Sequence, residues 1–496
     1  MKKGLSEHGG RKAVVVGAGI AGIASAIRLA VKGFQVDVFE SNTYPGGKLS
    51  EFSINGFRFD AGPSLFTMPH LVDELFSLAG QKASAHFSYQ RLDPVCSYFY
   101  EDGTIMKAWA DPLKLAEEIG SKTTDSQESV LEFLRKSAKI YDVTHHVFLE
   151  RSLHRLQTYL QADTLSSILR LPQIDPFRTM NDAISASFKD SRTIRLFNRY
   201  ATYNGSDPYR APATLNIIPH IEYSMGAYFP RGGMYTITAA LVKLAESLGV
   251  VFHYGTPVDE ILVSGNRVHG VMASGLSVPA EVVLSDTDVW FTYHKLLKQQ
   301  KTPARILRQE RSSSALIFYW GIRTTFGQLG LHNILFSEDY RKEFQCLWNE
   351  QSVFQDPTVY VNISSKYNAE DAPEGCENWF VMINVPSNQG QDWDLLIKRA
   401  RKNIIDKINR VLHTSIEPLI VAESVMDPRS IESRTGSYQG ALYGTSSNSR
   451  FSAFLRHPNF SNCVHGLYFT GGSVHPGGGI PLALLSAKIS VDLIPD

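Results

Sequence analysis

Residues Lys12–Glu40 read KAVVVGAGIAGIASAIRLAVKGFQVDVFE. Val14, Val15 and Val16 form a short β-branched run, as a buried parallel strand requires. Gly17, Gly19 and Gly22 follow in GxGxxG spacing, and Ile23, Ile27, Leu29 and Ala30 then recur at helical intervals. Gly33 ends the predicted helix, Val36 to Phe39 is a second strand, and Glu40 stands at its end. Strand, glycine turn, helix, strand and acid, in that order, describe a dinucleotide-binding βαβ unit. Gly17 allows the tight turn, Gly19 lets a pyrophosphate approach, and Gly22 lets the helix pack close to the strand. Ile20 and Ala21 open the helix, whose N-terminus favours phosphate. Glu40, with Ser41 beside it, is placed to accept from ribose hydroxyls, which disfavours a 2′-phosphate and hence NADP. FAD and NAD stay open.

The next stretch, SNTYPGGKLSEFSINGFRFDAGPSLFTMP over Ser41–Pro69, separates them. Gly46, Gly47, Lys48 and Leu49 make a second glycine turn directly after the acid. Asn55-Gly56 predicts a hairpin between Phe52–Ile54 and Phe57–Phe59. Gly62, Pro63, Ser64 and Leu65 then turn again. A simple NAD domain would continue into another helix and strand. A second turn near the phosphates and an antiparallel excursion favour an extended FAD.

Outside this unit the composition is that of an ordinary folded protein. The chain has 496 residues, 43% of them hydrophobic and 20% charged, so two or three lobes are expected. The formal net charge is zero, which gives no support to a nucleic-acid partner held by a basic field. Cys96, Cys346, Cys376 and Cys463 lie far apart without a CxxC pair, so no metal site is predicted. The apolar run Ala13–Ile27 is too short for a bilayer span of about 18 residues. A cytoplasmic protein is expected.

The chain closes on TGGSVHPGGGIPLALLSAKIS, Thr470–Ser490, with five glycines and two prolines in the first twelve positions. Glycine in such density weakens a backbone by entropy and marks a turn or a close approach. Together with PGGKL and GFRFDAGPSLFT, this segment resembles the bacterial-type phytoene desaturases and their carotenoid-oxidising relatives. YFPRGGM at Tyr228–Met234 looks like the family's WYPRGG turn, VVLSDTD at Val282–Asp288 like its SNAD strand, and GGSVHPGGGIP like its GAGTHPGAGIP. The match runs from residue 12 to the C-terminus. Thr435–Asn448, TGSYQGALYGTSSN, and the closing segment look most like the 1-hydroxycarotenoid 3,4-desaturases.

The resemblance implies an α/β fold: a discontinuous FAD-binding Rossmann domain of the glutathione-reductase type with an inserted α+β substrate domain. The FAD domain is expected at 1–72, 225–290 and 436–496, and the substrate domain, facing a membrane, at 73–224 and 291–435. It further implies that Val258 packs on the adenine, and that Asp286, Gly472, Ser473, Gly479, Ile480 and Pro481 lie at the cofactor. The helix from Pro481 would aim its positive end at the flavin, favouring hydride acceptance. His475 is a candidate proton relay, or else a residue that caps the bend.

The expected reaction is hydride transfer from an acyclic carotenoid to the flavin, giving a new C=C bond, with oxygen or a quinone as electron acceptor. Phytoene desaturation, and ketolase or oxidase chemistry in the same flavoprotein family, are the alternatives, with a prenyl-binding carrier of the same fold as the non-enzymatic one. Peripheral membrane association follows from a substrate that lives in lipid. Residues 111–225 read as mostly helical, with Leu131, Leu134 and Ile140 on one face and Leu153, Leu156 and Leu160 on another. SSILRLP, Ser166–Pro172, is either a membrane-lying or a core-facing segment. Ala315–Gly321, Thr358–Ile363 and Trp379–Asn384 are predicted strands able to wall a long apolar tunnel or to form an ordinary core.

Overall fold

The computed structural model describes residues 10–161, 164, 170, 174, 175, 177–449 and 455–495. Most of SSILRLP lies outside them. The valine run becomes the strand Lys12–Val16, central in a five-stranded parallel sheet. Its order is Val251–His253, Gln35–Phe39, Lys12–Val16, Val282–Ser285, Leu467–Phe469, so three distant parts of the chain build one sheet. Parallel strands buried on both faces need continuous apolar runs, and Ala13 to Val16 and Val282 to Ser285 are all buried.

The helix Ile20–Val31 crosses over from the first strand. The closing helix Ile480–Asp492 and the helix Tyr235–Ser247 pack against it. Gly33, at φ +88°, makes the left-handed turn into Gln35–Phe39. Two strands follow the helix Tyr235–Ser247: Val251–His253 joins the parallel sheet, and Val258 begins the strand Val258–Ser264. Gly255, at φ +64°, turns the chain between them. Val258–Ser264 pairs with Arg267–Ala273 and then Leu276–Pro279 in an antiparallel flap.

A second body is built on a seven-stranded mixed sheet ordered Ile420–Met426, Ser314–Ile322, Glu377–Val385, Val359–Asn362, His332–Leu335, Cys96–Phe99, Ile105–Ala108. The three predicted strands are among them. The helix Trp393–Leu412 contributes to the same core, where Trp320, Trp379 and Trp393 are fully buried. Each indole N–H has an acceptor, in Glu423, Glu377 and Asn388 respectively, as buried tryptophan requires. Leu134 and Ile140 of the helix Gln127–Thr144 face the core as expected. The next leucines divide: Leu153 is buried, whereas Leu156 and Leu160 are 84% and 79% exposed.

Candidate functional site

The glycine turns meet because the backbone brings them together. Gly46 N–H donates to the Ala18 carbonyl at 2.7 Å, and Gly19 and Gly46 form an isolated parallel bridge. A Cβ on Gly22 would stand 2.2 Å from the Gly17 oxygen, so only glycine lets the helix start there. A Cβ on Gly62 would stand 2.1 Å from the Lys48 oxygen. The three turns are thus one packed unit.

That unit forms one wall of a cavity of about 410 Å³. Of the residues expected at the cofactor, 19–21, 46–49, 62–65, Asp286, 472–473 and 479–481 line it. The seven-stranded sheet adds apolar lining from Ile317, Ile334, Phe380, Met382 and Met426.

Gly17, Gly22, Glu40, Ser41 and Val258 are not among the lining residues. Gly17 and Gly22 act through backbone packing. Glu40 Oε2 accepts from the Ala18 N–H, and its Oε1 accepts from the backbone and side chain of Asn42, each at 2.8 Å. The acid therefore ties the two ends of the turn. Val258 sits in the antiparallel flap opposite Ala273.

Asp286 occupies the start of the first helix. Its Oδ2 accepts from the Gly22 N–H at 2.9 Å. Burial, with repulsion from Glu40 adding to it, pushes its carboxyl up to about 7 against the pull of that N–H and of Lys48. Burial lowers Lys48 to about 8 although Asp288 and Asp286 oppose it, and its Nζ donates to the Leu442 carbonyl at 2.8 Å.

The closing glycines serve two purposes. Gly479, at φ +104°, has nothing within 4 Å of a Cβ position and caps the helix Ile480–Asp492. Gly478 is needed by the protein itself: a Cβ there would meet Tyr443 Cα at 2.7 Å. His475 is turned away from the cavity. Its Nε2 lies 2.8 Å from the Arg151 carbonyl, and burial, reinforced by His154 and Arg456, lowers the ring to about 3. A ring so committed and so weakly basic argues against the proton relay and for the reading in which His475 holds the bend.

Sequence reasoning missed a set of polar residues that also line the cavity. Arg199, Tyr203 and Glu222 line it, as do His332 and Tyr360. Arg199 donates to Glu222 at 2.8 Å, to Tyr98 at 2.6 Å, and to Tyr200 and Tyr203 at 3.1 Å each. Tyr200 donates to Glu222 at 2.6 Å, and Tyr203 also bonds it. Tyr360 OH lies 2.6 Å from Ser64 Oγ and 2.7 Å from His332 Nδ1. His145, His146 and Glu150 bring possible metal-ligand atoms within 4.8 Å of one another at the surface, outside this cavity.

The residues present fit an extended dinucleotide. The first turn of the helix, whose opening N–H groups have no intrahelical partner, lines the cavity at Ile20 and Ala21. Gly47 faces Gly19 across bare backbone, its Cβ position 3.6 Å from the Gly19 Cα. A parallel nucleotide-binding sheet opening onto an apolar chamber defines an α/β oxidoreductase that works with a flavin.

Comparison with known proteins agrees. Residues 20–312 match the flavin containing amine oxidoreductase family. The chain is 49% identical over 98% of its length, and 99% of the relative's, to a 1-hydroxycarotenoid 3,4-desaturase of Flavobacterium sp. (strain P99-3). It is 32% identical to a zeta-carotene-forming phytoene desaturase of Myxococcus xanthus, covering 97% of this chain and 93% of that one. It is 31% identical to a 4,4'-diapolycopene oxygenase of Methylomonas sp over 99% of both. The chain belongs to the flavin containing amine oxidoreductase family, in the branch of the carotenoid desaturases. Its fold is shared with a variant of putrescine oxidase at a TM-score of 0.63 and 14% identity, covering 97% of this chain and 98% of that one.

Proposed function

We propose that the protein desaturates an acyclic carotenoid, oxidising the 3,4 bond of a 1-hydroxylated substrate. One observation carries this reading: a single cavity is lined both by the glycine turns and by apolar side chains of the seven-stranded sheet. The relative at 49% identity supports the choice of substrate and bond. The turns at 46–49 and 62–65 and the closing segment at 472–481 hold FAD, and the second body holds the polyene.

FAD, when bound, supplies the hydride acceptor. The protein does the rest by placement. Ile317, Ile334, Phe380 and Met382 exclude water and press the polyene into one orientation. The conjugated chain spreads the positive charge left behind, and loss of a proton from the adjacent carbon completes the double bond. Dioxygen or a membrane quinone would serve as the final electron acceptor.

The decisive experiment is anaerobic incubation of the FAD-loaded protein with a 1-hydroxy acyclic carotenoid in liposomes. The flavin band near 450 nm (roughly, a property of the cofactor) bleaches as the polyene absorption moves to the red, and the product is lighter by two hydrogens. A flavin that stays oxidised sinks the substrate assignment. A product heavier by oxygen favours the oxygenase chemistry named for the Methylomonas relative. Absence of flavin uptake leaves a carrier.

The substrate dissolves in lipid, so the protein docks on a membrane surface. No helix among the described residues is long and apolar enough to cross one. Leu156, Leu160 and Phe177, 84%, 79% and 73% exposed, supply the contact. Leu156→Ser with Leu160→Ser should lower the fraction that floats with liposomes several-fold; unchanged flotation would exclude this surface.

A further inference from the structure

His332 lies on the strand His332–Leu335 and lines the cavity with its ring almost wholly buried. Its Nδ1 is 2.7 Å from Tyr360 OH and 3.2 Å from Nδ2 of Asn362. That amide nitrogen is fixed as such by the Leu331 carbonyl, to which it donates at 3.1 Å. An amide nitrogen cannot accept, so Nδ1 is the acceptor and the proton of a neutral ring is on Nε2. Burial, with the Arg199 charge adding to it, lowers His332 to about 3, so the ring is neutral at working pH.

Nε2–H has no hydrogen-bond partner. Among the described residues lining the cavity, it is the only buried side-chain nitrogen or oxygen in that state. The neighbouring polar groups are spent. Arg199 and Glu222 satisfy each other and three tyrosines, and Tyr360 is bonded to His332 and Ser64. The adjacent wall is apolar, from Ile317, Ile334, Phe380 and Met382. A buried donor left unpaired is destabilising, and an oxygen brought by a ligand removes that cost. A hydrocarbon end group brings none.

We infer that His332 Nε2–H is the donor that holds the end-group oxygen of the substrate, making His332 the residue that selects a hydroxylated carotenoid over the hydrocarbon. The inference rests on the desaturase reading above. The position suits the chemistry. Through Tyr360, His332 is two hydrogen bonds from Ser64, in the turn assigned to the cofactor. A hydroxyl at C1 is two carbons from C3, so its anchor has to stand beside the reacting bond.

The test compares FAD-loaded wild type, His332→Phe and His332→Gln on a 1-hydroxy acyclic carotenoid and on the same carotenoid without the hydroxyl. Glutamine keeps a donor near the Nε2 position, whereas phenylalanine keeps only the shape. The readouts are the ratio of kcat/KM values for the two substrates and the ratio of their Kd values, taken from quenching of tryptophan fluorescence. We expect wild type to prefer the hydroxylated substrate. His332→Phe should lower both ratios by about 10- to 100-fold, the span of one buried hydrogen bond, with flavin absorbance retained. His332→Gln should keep them within about tenfold of wild type. If the phenylalanine ring is not accommodated, His332→Leu makes the same comparison.

Ratios unchanged in the apolar variant, with wild type still preferring the hydroxyl, would overturn the anchor and leave the desaturase reading standing. Wild-type preference for the hydrocarbon, or none at all, would overturn the 1-hydroxy substrate and the anchor together.

Discussion

Gly22→Val should purify colourless. A Cβ at this position would lie 2.2 Å from the Gly17 oxygen, in the turn itself, and 2.9 Å from Oδ2 of Asp286, the carboxylate packed on the helix start. Neither can yield without moving the helix Ile20–Val31 off the strand Lys12–Val16. Overpacking of this kind costs about 1–3 kcal/mol, and the displaced turn no longer presents the first-turn N–H groups to a pyrophosphate. The expected result is loss of essentially all flavin absorbance near 450 nm (roughly, as before) and of activity, with the chain still folded by circular dichroism. Gly327→Ala is the control: Gly327 is exposed, has no positive φ, and a Cβ there meets nothing within 4 Å. It should retain its flavin. A yellow Gly22→Val protein would remove this turn from the cofactor site.

The second large effect is on stability. Arg199→Met would leave Glu222, whose side chain is 1% exposed, as an unpaired charge in the protein interior. Removing one partner of a buried ion pair costs about 3–5 kcal/mol, because the remaining charge has lost both water and counter-ion. Tyr200 and Tyr203 would still bond Glu222, which places the expected loss toward the lower end. Urea denaturation of the FAD-loaded protein measures it. Arg199→Met combined with Glu222→Gln should recover part of the loss, since the buried charge is then absent. A single variant as stable as wild type would show that water reaches this cluster.

The parts of the site legible in the sequence are those whose chemistry is local. A GxGxxG turn, its flanking strands and its acid lie within thirty residues, and each residue type answers to a backbone need that chain neighbours impose. The second turn was legible for the same reason. Arg199, Glu222, His332 and Tyr360 were not. They reach one cavity only through the seven-stranded sheet and the helices above it, and nothing near them in the chain sets them apart. His332 meets Tyr360 because the strands His332–Leu335 and Val359–Asn362 pair, with Ile334 opposite Tyr360.

Two local signals carry a second physical role besides the one their pattern suggests. The closing glycines read as room for a ligand, yet Gly478 makes room for Tyr443, which the sequence places 35 residues earlier. Glu40 carries the pattern of a ribose acceptor, and its carboxylate also closes the turn on itself through Ala18 and Asn42. In both cases the protein's own atoms make a contact at a position where pattern reading places the ligand.

The parallel sheet also dictates when this protein can become whole. Its central strand pairs Ala13 with Val282, and the strand Val282–Ser285 in turn pairs Ser285 with Phe469. During synthesis the βαβ unit at Lys12–Phe39 therefore waits for a neighbour some 270 residues on and for an edge strand some 180 residues beyond that. Contacts of such long separation form slowly, because the loops between them must close first. The turns at 19–21 and 472–481, proposed to hold the cofactor, line one cavity although some 450 residues separate them. A dinucleotide spanning them joins the first and last portions of the polypeptide, adding its binding energy to the folded state alone. A flavin bound there as proposed would in that sense also act as a clasp on the folded state.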